Sequence, residues 1–390
     1  MTKTSTWKEI SINDLGKVVT GKTPSTSNSA YFDGDIPFVT PTDMDDRRSI
    51  SKTERYLTEQ GAEVVKGSRI PAGAVMVSCI GSQMGKAAIA GKPCVTNQQI
   101  NSIVVSPEYS ELFVYYSLSL RGDEIRSIGS GSAVPILNKT DFSNLPISVP
   151  PLPEQRAIAG TLGALDDKIE HNRRMNATLE SMTRAVFRKW FVEGEANVLE
   201  EKPLDEIADF LNGLALQKYP PEGEEYLPVI KIAQLRKNDT EGADKASTNI
   251  PLEYIVEDGD ILFSWSGSLE VIIWCGGKGA LNQHLFKVTS DKYPKWFYFF
   301  WTKYHLPEFQ EIAAGKATTM GHIQRHHLSA AKVLVPSDEE LQEMDKIMSP
   351  LLEKIINNNL ESRTLASLRD GLLPKLMRGE VKVSDVEGKV

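Results

Sequence analysis

The sequence lacks most of what catalytic, secreted or membrane proteins advertise. Its 390 residues hold three cysteines, Cys79, Cys94 and Cys275, without paired spacing. That excludes a disulfide framework and suits free thiols in a reducing cytoplasm. The N-terminal stretch MTKTSTWKEI has no apolar core, so no signal peptide is expected. The longest aromatic run, WFYFFW at 296–301, is flanked by Lys295 and Lys303 and is far too short to span a bilayer. Excess positive charge is also missing: the net charge is −8. Residues 1–149 carry 15 basic and 15 acidic groups, 150–195 carry 7 and 7, 196–335 carry 14 and 19, and 336–390 carry 8 and 11. With no segment basic overall, any nucleic-acid contact has to come from local patches or from a partner.

Catalytic constellations are scarce as well. Residues 16–23, GKVVTGKT, match the nucleotide P-loop letter for letter. That chemistry needs a buried strand before the loop and a helix opening at Lys22. Pro24 and the polar run STSNS follow instead, so this is a surface turn, with Lys22, Thr23 and Ser25 suited to a phosphate backbone. The Pro-Pro pairs in VPPL and YPPE do not fit the tetrad of amino-methyltransferases, and no dinucleotide fingerprint or Gly-x-Ser-x-Gly is present. His322, His326 and His327 lack a completing Cys or carboxylate, which favours a loose basic or core cluster over a metal site. Asp166-Asp167-Lys168 could imitate a nuclease Asp-x-Lys, but it falls inside a helical run and reads as a solvated face.

What the sequence does have is a duplication. Residues 150–195 begin with Pro-Pro-Leu-Pro and continue as a long helical run. Ile158, Leu162, Leu165, Ile169, Asn172, Asn176, Leu179, Val186 and Trp190 fall on heptad spacing, with Thr183 as one weak slot. A shift of about 186 places superimposes this run on a second one near the C-terminus. There the seam recurs as Met344, Met348, Leu351, Ile355, Asn358, Ser362, Leu365, Leu372 and Leu376. Both copies carry a polar layer in mid-seam, Asn172/Asn176 and Asn358/Ser362. Either these are solvated positions on ordinary surface helices, or they meet and fix the register of a two-helix coiled coil.

The repeat extends into the segments before each helix. DLGKVVTG (14–21) matches EIADFLNG (206–213), and AGAVMVSCIGS (72–82) matches DGDILFSWSGS (258–268). Asn97-Gln98 matches Asn282-Gln283, the aromatic stretch ELFVYYSL matches KWFYFFW, and GSAVPILN (131–138) matches GKATTMGH (315–322). Short β-rich runs alternate with Gly, Pro, Asn and Ser turns. The expected fold is α+β, with two similar globular domains and a pair of long coiled-coil helices. The expected boundaries are 1–149 for the first domain, 150–195 for the central helix, 196–335 for the second domain and 336–390 for the C-terminal helix.

The L-x-x-[IVA]…G turns at Leu15 and Ile207, the stretch GKTPS…YFDGDIPFV and above all VPPLPEQ at 149–155 give the chain a resemblance. It is similar to the specificity (S) subunit of type I restriction–modification systems. The second copy departs from that pattern: VPSDEEL replaces VPPLPEQ, and no TPS turn follows Gly213. The resemblance implies a non-catalytic DNA-recognition subunit in the cytoplasm, each globular domain reading one half of a bipartite site. The helices would form an antiparallel pair, set the spacer and dock two methyltransferase (M) subunits, which carry S-adenosylmethionine. Restriction (R) subunits would bring ATP and Mg²⁺ chemistry, and this chain would bind no cofactor or metal itself. The rival readings are a self-contained DNA-modifying enzyme, which should show a cofactor motif, and a coiled-coil scaffold without DNA contact.

The residues expected to touch DNA lie in polar loops of both copies. In the first they are Lys22, Thr23, Ser25, Arg47, Arg48, Ser82, Gln83, Lys86, Gln98, Gln99, Ser130 and Ser132. In the second they are Lys231, Gln234, Arg236, Lys237, Ser266, Ser268, Gln283, His284, Lys316, Thr318 and Arg325. Gln and Arg suit base edges, while Lys, Ser and Thr suit phosphates. Shared Gly-Ser and Asn-Gln pairs also make turns.

Overall fold

Apolar residues that recur every three or four positions need a partner face, and the two heptad runs become the two longest helices of the protein, Leu152–Phe191 and Asp338–Met377. The computed structural model describes residues 7–385 except 46, 130–134, 195, 197 and 316–320. The chain folds into two compact units. One contains the chain up to Glu170 and from Leu365 onward, and the other is His171–Thr364. No helix among the described residues is long and apolar enough to cross a membrane.

In the first unit an antiparallel ladder places Ile100–Val105 between Gly16–Thr20 and Val75–Ser78, and Ala87–Ala90 follows on the far side of the latter. A second, mixed sheet pairs Phe32–Val39 in parallel with Cys94–Thr96. Lys8–Ser11 closes against Pro146–Val149, just before the central helix. The second unit repeats this order with different side chains. Leu285–Thr289 lies between Asp209–Asn212 and Ile261–Ser264, and Val271–Ile273 follows. Leu227–Ile230 runs parallel to Gly279–Leu281, and Val198–Pro203 closes against Lys332–Pro336. The α+β reading and the duplication therefore hold at the level of strand pairing.

Backbone contacts explain why certain glycines recur. A Cβ on Gly21 would lie 2.0 Å from the Asn97 carbonyl oxygen, and one on Gly213 would lie 2.3 Å from that of Asn282. Gly81 and Gly267 adopt φ of 89° and 68°, where side chains are strained. The aromatic stretches form the helices Glu111–Ser119 and Lys295–Ala314. All six residues of WFYFFW, from Trp296 to Trp301, are buried. They pack in one core with Phe187, Phe191, Met344 and Met348.

Within the second unit the two long helices meet through the polar layer. Asn172 Nδ2 donates to Ser362 Oγ at 3.3 Å and to Glu361 Oε2 at 2.8 Å. Asn358 Nδ2 donates to Asn176 Oδ1 at 2.8 Å, and Asn176 Nδ2 donates to Asn359 Oδ1 at 2.7 Å. Asn172, Asn176 and Asn358 are buried. Of the two readings of these positions, the meeting of the helices is the one observed, and the order of partners makes the pair antiparallel. Two details of the seam differ from expectation. Leu352, not Leu351, is the fully buried residue, because a straight helix drifts from strict heptad spacing. Thr183 is fully buried, its hydroxyl donating to the Leu179 carbonyl at 2.9 Å.

Within the first unit the helix ends are joined by charge. Asp166 is 8% exposed and accepts from Tyr116 Oη at 2.5 Å and from an Arg369 guanidinium nitrogen at 2.7 Å. The solvated-face reading of Asp166 is therefore wrong: a buried carboxylate with two charge-assisted partners is a packing element. Burial and the neighbouring carboxylate push the Tyr116 hydroxyl well above its ordinary range, so it stays a donor.

Candidate nucleic-acid interface

Each unit gathers a set of loops at one end of its antiparallel sheet, and backbone hydrogen bonds do the gathering. In the first unit the Lys22 N–H donates to the Thr96 carbonyl at 2.9 Å, which brings the turn after Gly16–Thr20 beside Gln98 and Gln99. The Thr23 hydroxyl then donates to Gln98 Oε1 at 2.7 Å. Asn97 Nδ2 donates to Gln99 Oε1 at 2.8 Å, and the Cys79 N–H donates to the Gln99 carbonyl at 2.7 Å. The Gly81 N–H is latched to the Pro135 carbonyl at 3.0 Å. Buried Ser78 donates to the Gln83 carbonyl at 2.6 Å, while Lys86 Nζ donates to Gln83 Oε1 at 2.9 Å. Lys22, Ser25, Ser82 and Gln98 are exposed at this end, and Thr23, Gln83, Lys86 and Gln99 are half-buried.

The second unit builds the same latch. The Gly267 N–H donates to the Gly321 carbonyl at 2.8 Å, and the Gln283 N–H donates to the Leu214 carbonyl at 2.9 Å. Ser264 donates to the Ser268 carbonyl at 2.7 Å, the counterpart of Ser78 and Gln83. Gln283, His284 and Ser268 are half-buried here, and Arg325 is exposed. Arg325 donates to the Phe210 carbonyl at 3.2 Å, and its guanidinium lies 5.9 Å from the Phe286 ring centroid.

Other expected residues stand apart from these clusters. Arg48 donates to the Gly163 carbonyl at 3.2 Å and to Asp167 at 2.5 Å, so its charge is spent on the central helix. Arg47 is paired with Asp45 at 2.6 Å. Lys231 is paired with Asp244, and Arg236 with Glu270 at 2.7 Å. Lys237 is exposed on the same short helix, Ile232–Lys237. Gln234 and Ser266 are 6% and 3% exposed. Gln234 Oε1 accepts from the Lys231 N–H at 3.4 Å, and Ser266 Oγ lies 3.0 Å from His284 Nδ1. Both side chains hold the local fold and are withdrawn from the accessible surface, which corrects their place among direct contacts. Ser130, Ser132, Lys316 and Thr318 lie outside the described residues.

The sequence reasoning missed three residues in the second cluster: Asn212, Trp265 and His322. Trp265 Nε1 donates to Asn212 Oδ1 at 2.8 Å. The Trp265 ring lies 5.9 Å from His284 and 6.3 Å from His322. A signal was available. Trp265 occupies the place of buried Cys79 in the repeat, and a large aromatic replacing a small residue beside a Gly-Ser turn outgrows that place and reaches the half-buried rim of the core. Among the described residues no group of three or more His, Cys, Asp or Glu side chains is arranged to hold a metal ion.

The family model described as the type I restriction modification DNA specificity domain matches this chain twice, over residues 4–181 and 198–365. The specificity subunit of the type I restriction enzyme MjaIX from Methanocaldococcus jannaschii is 28% identical over 97% of this chain and 94% of its own length. That of HindI from Haemophilus influenzae is 36% identical, over 37% of this chain and 32% of its own. The crystal structure of a type I restriction–modification S subunit from M. genitalium superposes with a TM-score of 0.63 at 18% identity, covering 96% of this chain and 97% of that one. The last likeness is one of fold. With the family model matching most of the sequence in two copies that coincide with the duplicated loop clusters, the chain belongs to the type I restriction–modification DNA specificity family.

Proposed function

We propose that this chain supplies sequence recognition to a type I restriction–modification complex, each of its two units reading one half of a bipartite DNA site. One observation carries the reading: the same latched loop cluster is built twice, from Gly81 and Pro135 in one unit and from Gly267 and Gly321 in the other. A duplicated end-of-sheet surface with diverged side chains suits two short, different half-sites. In the first unit the contacts fall to Lys22, Thr23, Ser25, Ser82, Gln83, Lys86, Gln98 and Gln99. In the second they fall to Lys237, Ser268, Gln283, His284 and Arg325. Ser130, Ser132, Lys316 and Thr318, which precede Pro135 and Gly321 in the sequence, belong to the same proposal.

The recognition domains correspond to 1–149 and 196–335, and the helical segments to 150–195 and 336–390. The helix Leu152–Phe191 has 40 residues, or about 60 Å at 1.5 Å per residue, ample for a spacer between half-sites on successive turns of DNA. Methyltransferase subunits carrying S-adenosylmethionine dock on the helices and perform the chemistry. Restriction subunits bring ATP and Mg²⁺, and the complex works in the cytoplasm. The net charge of −8 fits this division, since the partners then provide much of the phosphate-binding surface.

The test is exchange of residues 1–149 for another recognition domain, followed by mapping of methylated sites in the assembled complex. One half of the site should change and the other should persist. A change in both halves refutes the modular assignment.

A further inference from the structure

The repeat allows the two loop clusters to be compared position by position, and their chemistry differs. Ile80 bridges to Ile136 in the first unit as Ser266 bridges to His322 in the second, so His322 corresponds to Ile136 and not, as the sequence match had it, to Asn138. The shift that aligns these pairs also sets Trp265 against Cys79, and the Asn-Gln match sets His284 against Gln99. The first unit thus has a buried thiol, an amide held by Asn97 and an aliphatic side chain that is 52% exposed. The second has an indole and two imidazoles at the same three places.

The indole is held rather than loose. Its N–H is satisfied by Asn212, and one face rests near Phe286, with centroids 6.0 Å apart. Buried Ser266 sets the His284 ring through Nδ1 at 3.0 Å. The other ring nitrogen has only Gln283 Nε2 at 3.5 Å, the outer limit of a hydrogen bond, so that edge keeps its capacity for a ligand. A fixed aromatic plate beside imidazole edges takes a base pair well: ring nitrogens meet donors and acceptors of the groove edge, and the indole meets a thymine methyl or sugar.

We infer that Trp265, His284 and His322 form a base-pair-reading element specific to the second half-site, with no counterpart in the first unit. The inference rests on the modular reading proposed above. The three residues determine at least one base position, whereas the first half-site is read through amides and an aliphatic contact.

The experiment gives the second unit its neighbour's side chains in the full complex with methyltransferase subunits. His284→Gln and His322→Ile are made singly and together, and Trp265→Phe serves as a variant that keeps an aromatic ring. Methylated sites are mapped by sequencing, and assembly is checked by sedimentation. The double variant should lose about tenfold or more in preference at one or two positions of the second half-site. The first half-site should be unchanged, and Trp265→Phe should keep the wild-type sequence at reduced rate. Unchanged preference in an assembled double variant overturns the inference. Gln98→Ala with Gln99→Ala separates this from failure of the modular reading. If that pair relaxes the first half alone while the histidine variants do nothing, the units are modular and the cluster is not a reader. If the histidine variants alter the first half, the assignment of units to half-sites is itself wrong.

Discussion

The two units share a backbone and differ in how each holds the helix pair. Strand order, the glycines at 21 and 213 and the latched turns at 81 and 267 are common to both. In the first unit the helices join the domain through a buried charge cluster of Asp166, Tyr116 and Arg369, flanked by Arg48 and Asp167. In the second the same task falls to aromatic packing. Phe187 stacks on Phe300 at 5.6 Å and meets Trp301 edge-on at 5.1 Å, and Phe191 lies 5.8 Å from Phe297. A cavity of about 640 Å³ remains beside these rings. The lesson is that close backbone approach conserves a fold strictly, whereas a buried seam accepts either a carboxylate paired with a guanidinium or packed aromatic rings.

The comparison breaks most sharply at Arg369. Replacing it with Ala leaves the Asp166 carboxylate buried with only the Tyr116 hydroxyl, and an uncompensated buried charge costs about 3–5 kcal/mol. Arg363 in the second unit offers the control. It holds Asp258 at 2.7 Å, but its side chain is 41% exposed, and Asp258 keeps the Gly277 N–H at 2.8 Å. Arg363→Ala should therefore cost under about 1 kcal/mol. Urea unfolding of the purified chain measures both, and similar losses for the two would sink the distinction. The smaller effect also has a sign in pH. The Arg363 guanidinium, more than the Gly277 N–H, holds the Asp258 carboxyl below its ordinary 3.8. That contribution is present above 3.8 and lost as pH falls through the lower folded value, so wild type and Arg363→Ala should converge in acid.

The next effect concerns the polar layer of the second unit. Asn176→Leu removes the acceptor of Asn358 Nδ2 and the donor to Asn359 Oδ1, both in partly or fully buried surroundings. Stranding those groups should cost about 1–3 kcal/mol. Replacing Asn172, Asn176 and Asn358 together by Leu removes the stranded Asn358 amide, leaves the half-buried Asn359 Oδ1 to water, and should recover most of the loss while relaxing register, since apolar layers hold but do not specify. A triple variant less stable than Asn176→Leu would show that the layer stabilises rather than selects.

The duplication and the heptad seams were legible because they depend on spacing, which a sequence displays directly. Asn172 and Asn358 declared themselves as matched polar residues in mid-seam, and the α+β reading followed from the alternation of β-rich runs with turns. The role of Asp166 was not legible. Its partners Tyr116 and Arg369 lie 50 and 203 residues away, and nothing local separates a buried carboxylate from a solvated one. The candidate contact residues were legible as loop positions, but the partners of their side chains were not. Arg48, Lys231 and Arg236 look free in sequence and are neutralised in space by Asp167, Asp244 and Glu270. Gln234 and Ser266 look like surface polars and serve as local braces.

The smallest effect tests the claim that close approach, rather than glycine itself, is what the repeat preserves. Gly160 sits in the central helix with nothing within 4 Å of a built Cβ, and Gly371 sits in the C-terminal helix with the same freedom. In a helix interior glycine is worse than alanine by roughly 0.5–1 kcal/mol, because it loses more backbone entropy on folding. Gly160→Ala and Gly371→Ala should each stabilise the chain by about that amount. Gly21→Ala and Gly213→Ala should go the other way by about 1–3 kcal/mol, since the added carbon meets a carbonyl oxygen that belongs to a paired strand end and cannot retreat. The two losses should be similar, because the contacts of 2.0 Å and 2.3 Å are the same contact built twice. Urea unfolding of the four single variants measures this. If Gly21→Ala is costly and Gly213→Ala is not, the second unit has relaxed where the first has not, and the correspondence between the loop clusters weakens at the turn that positions Gln283 and His284.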